Sequence, residues 1–544
     1  MEVLRLHNFS VCFKQASGTF TAVDEINLVL NSGEILGLIG ESGSGKSVAS
    51  QSICRLIPEA EISGESVYGN SQSSQDIQLM NSEELRALRK REIAYIFQEP
   101  MTALNPLINC GKQIAESLSD KTDLDKQIIS LLEKVELSDT LRIMKAYPHE
   151  LSGGQRQRIM IAMALAKSPQ ILIADEPTTA LDIAVQNEVL GLLKKLAKND
   201  KLAILFITHD LLSLKNFADR IAVMYKGKIV ETEQTNALLN SAQHPYTKAL
   251  LESRANYSKK GKELAEIGDL LYEENGELKY REVTKSALSL NDKATDQAII
   301  SIKGLTKWHT KKSLFKKRDT VVLKEVSLNL YQGDSFGLVG ESGSGKSTLA
   351  KVLLRIWKHN KGEVLVNGKK IDTLKNLDQD IQLVFQDPYS SLNPKHRIGE
   401  ALKEVFKTSK DKVSKNEILE LLVKVGLDHT AYDKYPHEFS GGQRQRICIA
   451  KALAKRAQIL VLDEAVSALD VSVQAKILNL LNKLKIEEGL TYLLISHDMN
   501  VISYFCNRIA VLRHGEIQDY GNTDELIKNP NSEYTRSLLK ESIY

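Results

Sequence analysis

Cysteine is scarce in this chain. Five occur in 544 residues (Cys12, Cys54, Cys110, Cys448 and Cys506), and no two form a CxxC pair. That excludes a disulfide scaffold and zinc-ligand spacing, and it points to a reducing, cytosolic compartment. An excess of one charge is also missing. Lys+Arg 72 against Asp+Glu 69 leaves +3, so bulk charge does not announce a nucleic-acid partner. No apolar run approaches the roughly 18 residues of a membrane span. The N-terminus, Met1-Glu-Val-Leu-Arg-Leu-His7, lacks the apolar core of a secretory signal, and no lipidation motif is evident. The remaining composition, 42% hydrophobic and 26% charged, is that of a folded globular protein, not a disordered or collagen-like one. At about 150 residues per domain, the length suggests three or four units.

The chain contains itself twice. Gly40-Glu-Ser-Gly-Ser-Gly-Lys46-Ser47 recurs as Gly340-Glu-Ser-Gly-Ser-Gly-Lys346-Ser347, an offset of 300. Ser152-Gly-Gly-Gln155, Asp175-Glu176, His209 and Gln98 recur as Ser440-Gly-Gly-Gln443, Asp463-Glu464, His497 and Gln386, each at 288. Twelve extra residues therefore lie between Lys46 and Gln98, and the Ser/Asn/Gln-rich stretch 69–78 is their expected place. A period near 300 is a duplicated domain, not a solenoid.

Each copy opens with alternating apolar residues (Val3, Leu4, Leu6, Val11, Phe13), the pattern of a half-buried antiparallel strand. The runs Ile35–Ile39, Ile171–Ala174 and Ala203–Ile207 do not alternate and read as parallel strands covered on both faces. Between 100 and 150 the period is helical. The expected fold is α/β: two tandem P-loop cores, each with a parallel sheet, a helical subdomain and an antiparallel β edge. The expected boundaries are 1–252 and 299–544. Between them, 253–298 carries 17 charged residues in 46, three glycines and no proline, and reads as a partly ordered linker.

GxxxxGKS between a strand and a helix is a phosphate cradle. Backbone N–H groups around Gly40, Ser42, Gly43 and Gly45 face the phosphates, Lys46 reaches the β/γ oxygens, and the Ser47 hydroxyl suits Mg²⁺. Gly340, Ser342, Gly343, Gly345, Lys346, Ser347 and Thr348 repeat the pattern. Asp175 and Asp463 end apolar runs beside the loops and are placed to hold a Mg²⁺ shell, and Glu176 or Glu464 can polarise an attacking water. An acidic strand end capping the next helix is the bland reading of the same residues. Ser152, Gly154 and Gln155, with Ser440, Gly442 and Gln443, open helices whose free N–H groups make a second anion site. Two such sites per copy make sense if one copy's helix start completes the other's nucleotide site. His209 and His497 follow apolar strands as a repeated pair. Phe13 and Trp308, on the front-edge strands, suit either adenine stacking or the core. The basic run 311–318 reads as a solvated loop, with RNA or anionic lipid as its alternative partners.

Phosphate loop, Gln, Ser-Gly-Gly-Gln, Asp-Glu and His, in that order, resemble the motif series of the ATP-binding-cassette ATPases. Phe97-Gln-Glu-Pro-Met-Thr-Ala-Leu-Asn-Pro106, Phe385-Gln-Asp-Pro-Tyr-Ser-Ser-Leu-Asn-Pro394 and His244-Pro-Tyr-Thr-Lys-Ala-Leu-Leu251 are similar to the peptide/nickel importer branch. The fused pair resembles the single-chain ATPase subunit of bacterial oligopeptide and microcin C importers. That resemblance implies an ATPase using ATP and Mg²⁺, the metal held through Ser47, Gln98, Asp175, Ser347, Gln386 and Asp463. It implies one ATP at Lys46, Ser47, Gln98, Asp175, Glu176 and His209, completed by Ser440, Gly442 and Gln443. The other ATP has Lys346, Ser347, Gln386, Asp463, Glu464 and His497, completed by Ser152, Gly154 and Gln155. One chain would supply both cassettes. Its partners would be two membrane permease subunits and, through them, an extracytoplasmic substrate-binding protein, with no nucleic acid. Its place would be the cytoplasmic face of the bacterial inner membrane, peripherally bound.

The departures are local. Val48 stands where many cassettes have Thr, Phe439 where Leu is usual, and Ala465 where the first copy has Pro177, so Glu464 is expected to be held less rigidly. Ser532-Glu-Tyr-Thr535 replaces His-Pro-Tyr-Thr, and no Cys lies between Cys110 and Cys448, so no iron–sulfur centre is expected. The alternative class is a tandem cassette acting on ribosomes. Such factors join their halves by a long charged helix, whereas Gly261, Gly268 and Gly276 interrupt this linker. A tandem sugar importer would show a degenerate second half, and both halves here are complete.

Overall fold

The structure is a computed structural model. It describes residues 1–15, 18–70, 73–97, 103–178, 181–288, 298–313, 316–374, 377, 380–385, 387–408, 413–466 and 469–542. The chain forms two compact units, Met1–Glu252 with Leu271–Arg281, and Ser253–Leu270 with Glu282–Tyr544.

In the first unit six strands form one sheet in the order Lys228–Gln234, Arg220–Tyr225, Ile35–Ile39, Ala203–Ile207, Ile171–Asp175, Ile93–Ile96. The inner strands are parallel and only Lys228–Gln234 runs antiparallel. Ile35–Ile39, Ile171–Asp175 and Ala203–Ile207 are buried at every position, which is why they read as unbroken apolar runs. A four-stranded antiparallel sheet, in the order Gly18–Asn31, Glu2–Gln15, Glu61–Asn70, Ser73–Asp76, makes the β edge. Leu4, Leu6, Phe9 and Val11 of its alternating strand are buried. The helical subdomain includes Cys110–Ser117, Leu124–Lys134 and Thr140–Lys145, with Ile128, Leu132 and Ile143 buried.

The second unit repeats this plan. Its six-stranded sheet runs Ile381–Val384, Ile459–Asp463, Thr491–Ser496, Ser335–Val339, Arg508–Arg513, Glu516–Asn522, and its β edge is again four-stranded. The twelve extra residues of the first copy are not one loop. Glu61 to Ile77 spans sixteen positions where Lys361 to Ile371 spans ten, because the first hairpin is longer. Ile77 to Ile93 again spans sixteen against ten, and there the first copy carries the helix Ser82–Arg91, started by an Asn81–Glu84 capping box. This helix buries only Leu85 and Leu88 in an otherwise polar stretch, so its periodicity is faint in the sequence and the extra residues read there as one loop at 69–78.

The stretch 253–298 is divided between the units. Ser253–Leu270 packs in the second, with Leu264 fully buried. The Leu264 N–H donates to Asn479 Oδ1 and its carbonyl accepts from Asn479 Nδ2, both at 2.9 Å. The Tyr504 hydroxyl donates to the Lys262 carbonyl at 2.8 Å. The hairpin Leu271–Glu274 with Glu277–Tyr280 belongs to the first unit. Residues 289–297 lie outside the described residues, as do the side chains of 311–318.

Candidate nucleotide site

Each site starts where a central buried strand ends. After Ile39 the chain turns through the loop 40–45 into the helix Lys46–Ile53, and after Val339 it does the same into Lys346–Leu353. Gly45 and Gly345 are left-handed, with φ of 105° and 112°. A Cβ on Gly45 would sit 2.5 Å from the Ala22 carbonyl oxygen, and one on Gly345 2.7 Å from a Leu323 methyl. Only glycine satisfies both demands. Gly45 and Gly345 also offer no side-chain cap, so the first-turn N–H groups face the loop, as an anion site requires.

Lys46 is buried, and its Nζ donates to the carbonyls of Gly40 and Glu41, both at 2.8 Å. Lys346 Nζ donates to Gly340 at 2.6 Å and Glu341 at 2.8 Å. An ammonium held by exchangeable carbonyls can trade them for phosphate oxygens without moving far. Ser42, Gly43, Ser342 and Gly343 line the loop crowns and are exposed. Ser47 Oγ donates to Asp175 Oδ1 at 3.1 Å, and Ser347 Oγ to Asp463 Oδ1 at 3.4 Å. Burial raises the pKa of Asp175 and Asp463, and the neighbouring Glu176 or Glu464 charge adds to it. Among the described residues no three His, Cys, Asp or Glu side chains cluster as a metal cage. The donors present are hydroxyl and carboxylate oxygens, which fit a hard cation that takes its other ligands from water and phosphate. Gln98 and Gln386 lie outside the described residues. Thr348 is half-buried, while Val48 packs against the core.

The next carboxylates are held in a strained backbone. Glu176 and Glu464 have φ of 47° and 49°, and their N–H groups donate to Ile207 and Ile495, both at 2.9 Å. A non-glycine residue there costs on the order of 1–3 kcal/mol and persists only where its surroundings impose it. The expectation that Ala465 loosens Glu464 is not met in the backbone: φ and the N–H bond match those beside Pro177. The anchoring strand, not the proline, sets the turn. His209 Nδ1 lies 3.2 Å from Glu176 Oε1, and His497 Nδ1 3.5 Å from Glu464 Oε1. Burial opposes charging either imidazole, but the hydrogen bond and charge of the facing glutamate outweigh it, so both pKa values rise.

Ser152 and Ser440 cap their helices. Ser152 Oγ accepts from the Gln155 N–H at 3.2 Å while Gln155 Oε1 accepts from the Ser152 N–H at 3.1 Å, and Ser440 with Gln443 does likewise at 3.4 and 3.0 Å. Gly154 and Gly442 are packing requirements. A Cβ there would meet Val185 at 2.3 Å or Val473 at 2.2 Å. Phe13 packs half-buried on the core and pairs in register with Phe20. Trp308 pairs with Val321, the register that Cys12 occupies with Thr21 in the first copy, so the two aromatics are not equivalent. His309 holds the Phe13 position and packs edge-on against Trp357 at 4.6 Å.

The family described as "ABC transporter" matches residues 23–179 and 323–467. The chain belongs to the ABC transporter family. It is a two-cassette ATPase of that family. A second family, described as "Oligopeptide/dipeptide transporter, C-terminal region", matches residues 230–276. The chain is 39% identical over 562 residues to the glutathione import ATP-binding protein GsiA of Escherichia coli strain K12, covering 99% of this chain and 89% of that one. It is 38% identical over 559 residues, with the same coverage, to GsiA of Salmonella typhimurium strain LT2. A solved dimeric structure of a bacterial ABC transporter cassette, 30% identical, covers 43% of this chain and 98% of its own, with a TM-score of 0.38.

Contacts of three tyrosines in this ABC ATPase are not visible in the sequence. The Tyr95 hydroxyl donates to Asp175 Oδ2 at 3.0 Å and pairs with Ser50 Oγ at 2.9 Å. The Tyr246 and Tyr534 hydroxyls accept the N–H of Glu41 and Glu341 at 3.1 and 3.2 Å. These partners lie 45 to 205 residues apart, so no local pattern announces them. Among the described residues no helix is long and apolar enough to cross a membrane.

Proposed function

We propose that this ABC ATPase energises import of peptides or peptide-like compounds into a bacterial cell. The supporting observation is the oligopeptide/dipeptide C-terminal match at 230–276, joined to full-length similarity to a glutathione import ATP-binding protein. The ribosome-acting alternative is not favoured, because that match groups the chain with importers. The chain would sit at the cytoplasmic face of the inner membrane through two permease subunits, served by an extracytoplasmic binding protein. Cargo selectivity would lie in those partners.

In the proposed cycle the phosphate loop binds ATP as Lys46 or Lys346 exchanges two carbonyls for phosphate oxygens. Ser47 with Asp175, and Ser347 with Asp463, would hold Mg²⁺, which supplies charge neutralisation at the β- and γ-phosphate oxygens. Glu176 or Glu464 orients a water in line with the γ-phosphorus and takes its proton as the new P–O bond forms and the β–γ bridge breaks. His209 or His497 fixes the glutamate carboxylate and balances its charge. The test is uptake of a labelled tripeptide by cells carrying the chain with its permease. Uptake should require both the wild-type chain and ATP. Unchanged uptake with Glu176→Gln plus Glu464→Gln would remove the proposal.

A further inference from the structure

The helix that follows each cassette core is wired to the phosphate loop, and we propose that Tyr246 and Tyr534 are positioning residues that set the ATP affinity of their own cassettes. This rests on the reading that the loops bind ATP. Glu41 is the first residue after Gly40, and it is gripped at both ends of its peptide units. Its N–H donates to the Tyr246 hydroxyl at 3.1 Å, while its carbonyl accepts from Lys46 Nζ at 2.8 Å and from the Ser44 N–H at 3.1 Å. The second copy repeats this with Tyr534, Glu341, Lys346 and Ser344 at 3.2, 2.8 and 3.2 Å. The carbonyl that the lysine must release is thus located by a tyrosine about two hundred residues away in sequence.

The tyrosines are themselves fixed by different means at equivalent positions. Tyr246 is fully buried and stacks on Tyr225 at 4.2 Å, whereas the Arg513 guanidinium covers the Tyr534 ring at 4.5 Å. The start of the first helix is anchored by Glu231, which accepts the N–H groups of Gln243 and His244 at 2.7 and 3.1 Å. In the second, Asp519 accepts from the Ser532 N–H at 3.0 Å and from the Thr535 hydroxyl at 2.5 Å. His244 Nδ1 accepts the Tyr246 N–H, and Ser532 Oγ accepts the Thr535 N–H. Ser-Glu-Tyr-Thr is therefore a working substitute for His-Pro-Tyr-Thr: the acid and the cap changed identity, and the tyrosine-to-loop bond was retained. A bond rebuilt from different parts in two cassettes is a constraint on the loop, beyond the packing of one helix.

The experiment measures binding of a fluorescent ATP analogue and steady-state turnover in the full-length chain. Tyr246→Phe keeps the ring and removes only the hydroxyl, and it is read in a chain whose second loop is silenced by Lys346→Ala. Tyr534→Phe is read in the Lys46→Ala chain. Each should weaken nucleotide binding about three- to tenfold, the range of one neutral hydrogen bond. In the unsilenced chain each should raise KM while kcat at saturating ATP stays within about twofold. The melting temperature without nucleotide should stay within about 2 °C of the parent chain's. Unchanged affinity in both Phe variants overturns the proposal. So does an affinity loss that merely follows a lower nucleotide-free melting temperature, since that is helix packing. The Lys46→Ala, Lys346→Ala double variant separates the underlying reading: wild-type binding there removes the loops as the ATP site, whatever the tyrosines do.

Discussion

The two cassettes share their phosphate-loop lysines and serines, their Asp-Glu pairs and their histidines, yet their buried carboxylates are supported differently. In the first, Asp175 accepts from both Ser47 and Tyr95, and Tyr95 is itself tied to Ser50. In the second, Leu383 stands where Tyr95 does and Ala350 where Ser50 does. Asp463 accepts from Ser347 at a longer 3.4 Å, and the nearby Lys351 charge favours its ionised form instead. The lesson is that a duplicated motif reproduces the reacting groups but not their buried supports. A hydrogen bond from a fixed phenol orients one carboxylate oxygen, whereas a lysine on a flexible stem supplies charge without direction.

The harshest way to probe the comparison is to remove the glutamates. Glu176→Gln and Glu464→Gln should each lose more than half of the ATP turnover in the permease-bound chain. The double variant should fall roughly a hundredfold or more, the range of a lost general base. Wild-type turnover in Glu464→Gln alone would make the second site structural and end the symmetric mechanism. A smaller effect should come from the supports. Tyr95→Phe should raise the Mg²⁺ concentration needed for half-maximal turnover about threefold, as one lost hydrogen bond allows. Leu383→Tyr with Ala350→Ser should lower it, and a Mg²⁺ titration of both variants checks the pair. If the two titrations match wild type, the asymmetry at Asp175 carries no chemistry.

Pro177→Ala should change turnover less than about twofold, because Glu464 holds the same left-handed turn without a proline. The smallest expected effect is in stability against pH. The raised pKa values of His209 and His497 mean that the folded state holds their protons more tightly than the unfolded chain does. Their contribution is fully present below the unfolded value near 6.5 and is lost as pH rises through the folded one. The melting temperature of wild type relative to the Glu176→Gln, Glu464→Gln chain should therefore decline between about pH 6 and pH 8. A constant difference across that interval would show the imidazoles neutral throughout.

Much of this was legible in the linear chain because it depends on local chemistry. The phosphate loop needs closely spaced glycines and a lysine, the buried parallel strands need unbroken apolar runs, and the helix starts at Ser152 and Ser440 need small residues ahead of a helical run. Duplication made each of these readable twice. Phe13 and Trp308 fall on different positions of their strands although the two hairpins share the same register shifts: Trp308 pairs with Val321 where Cys12 pairs with Thr21, and neighbouring residues of a strand point to opposite faces. The placement of 253–270 in the second unit likewise depends on the Asn479 amide reading a distant backbone, which no composition reveals. The sequence alone determined the fold class, the repeat, and the lysines, carboxylates and histidines of the candidate sites, since those follow from periodicity and short spacing. Only the tertiary structure decided which phenols reach Asp175, Glu41 and Glu341. A hydrogen bond between residues 80 or 205 positions apart exists only once the sheet has brought their strands and helices together.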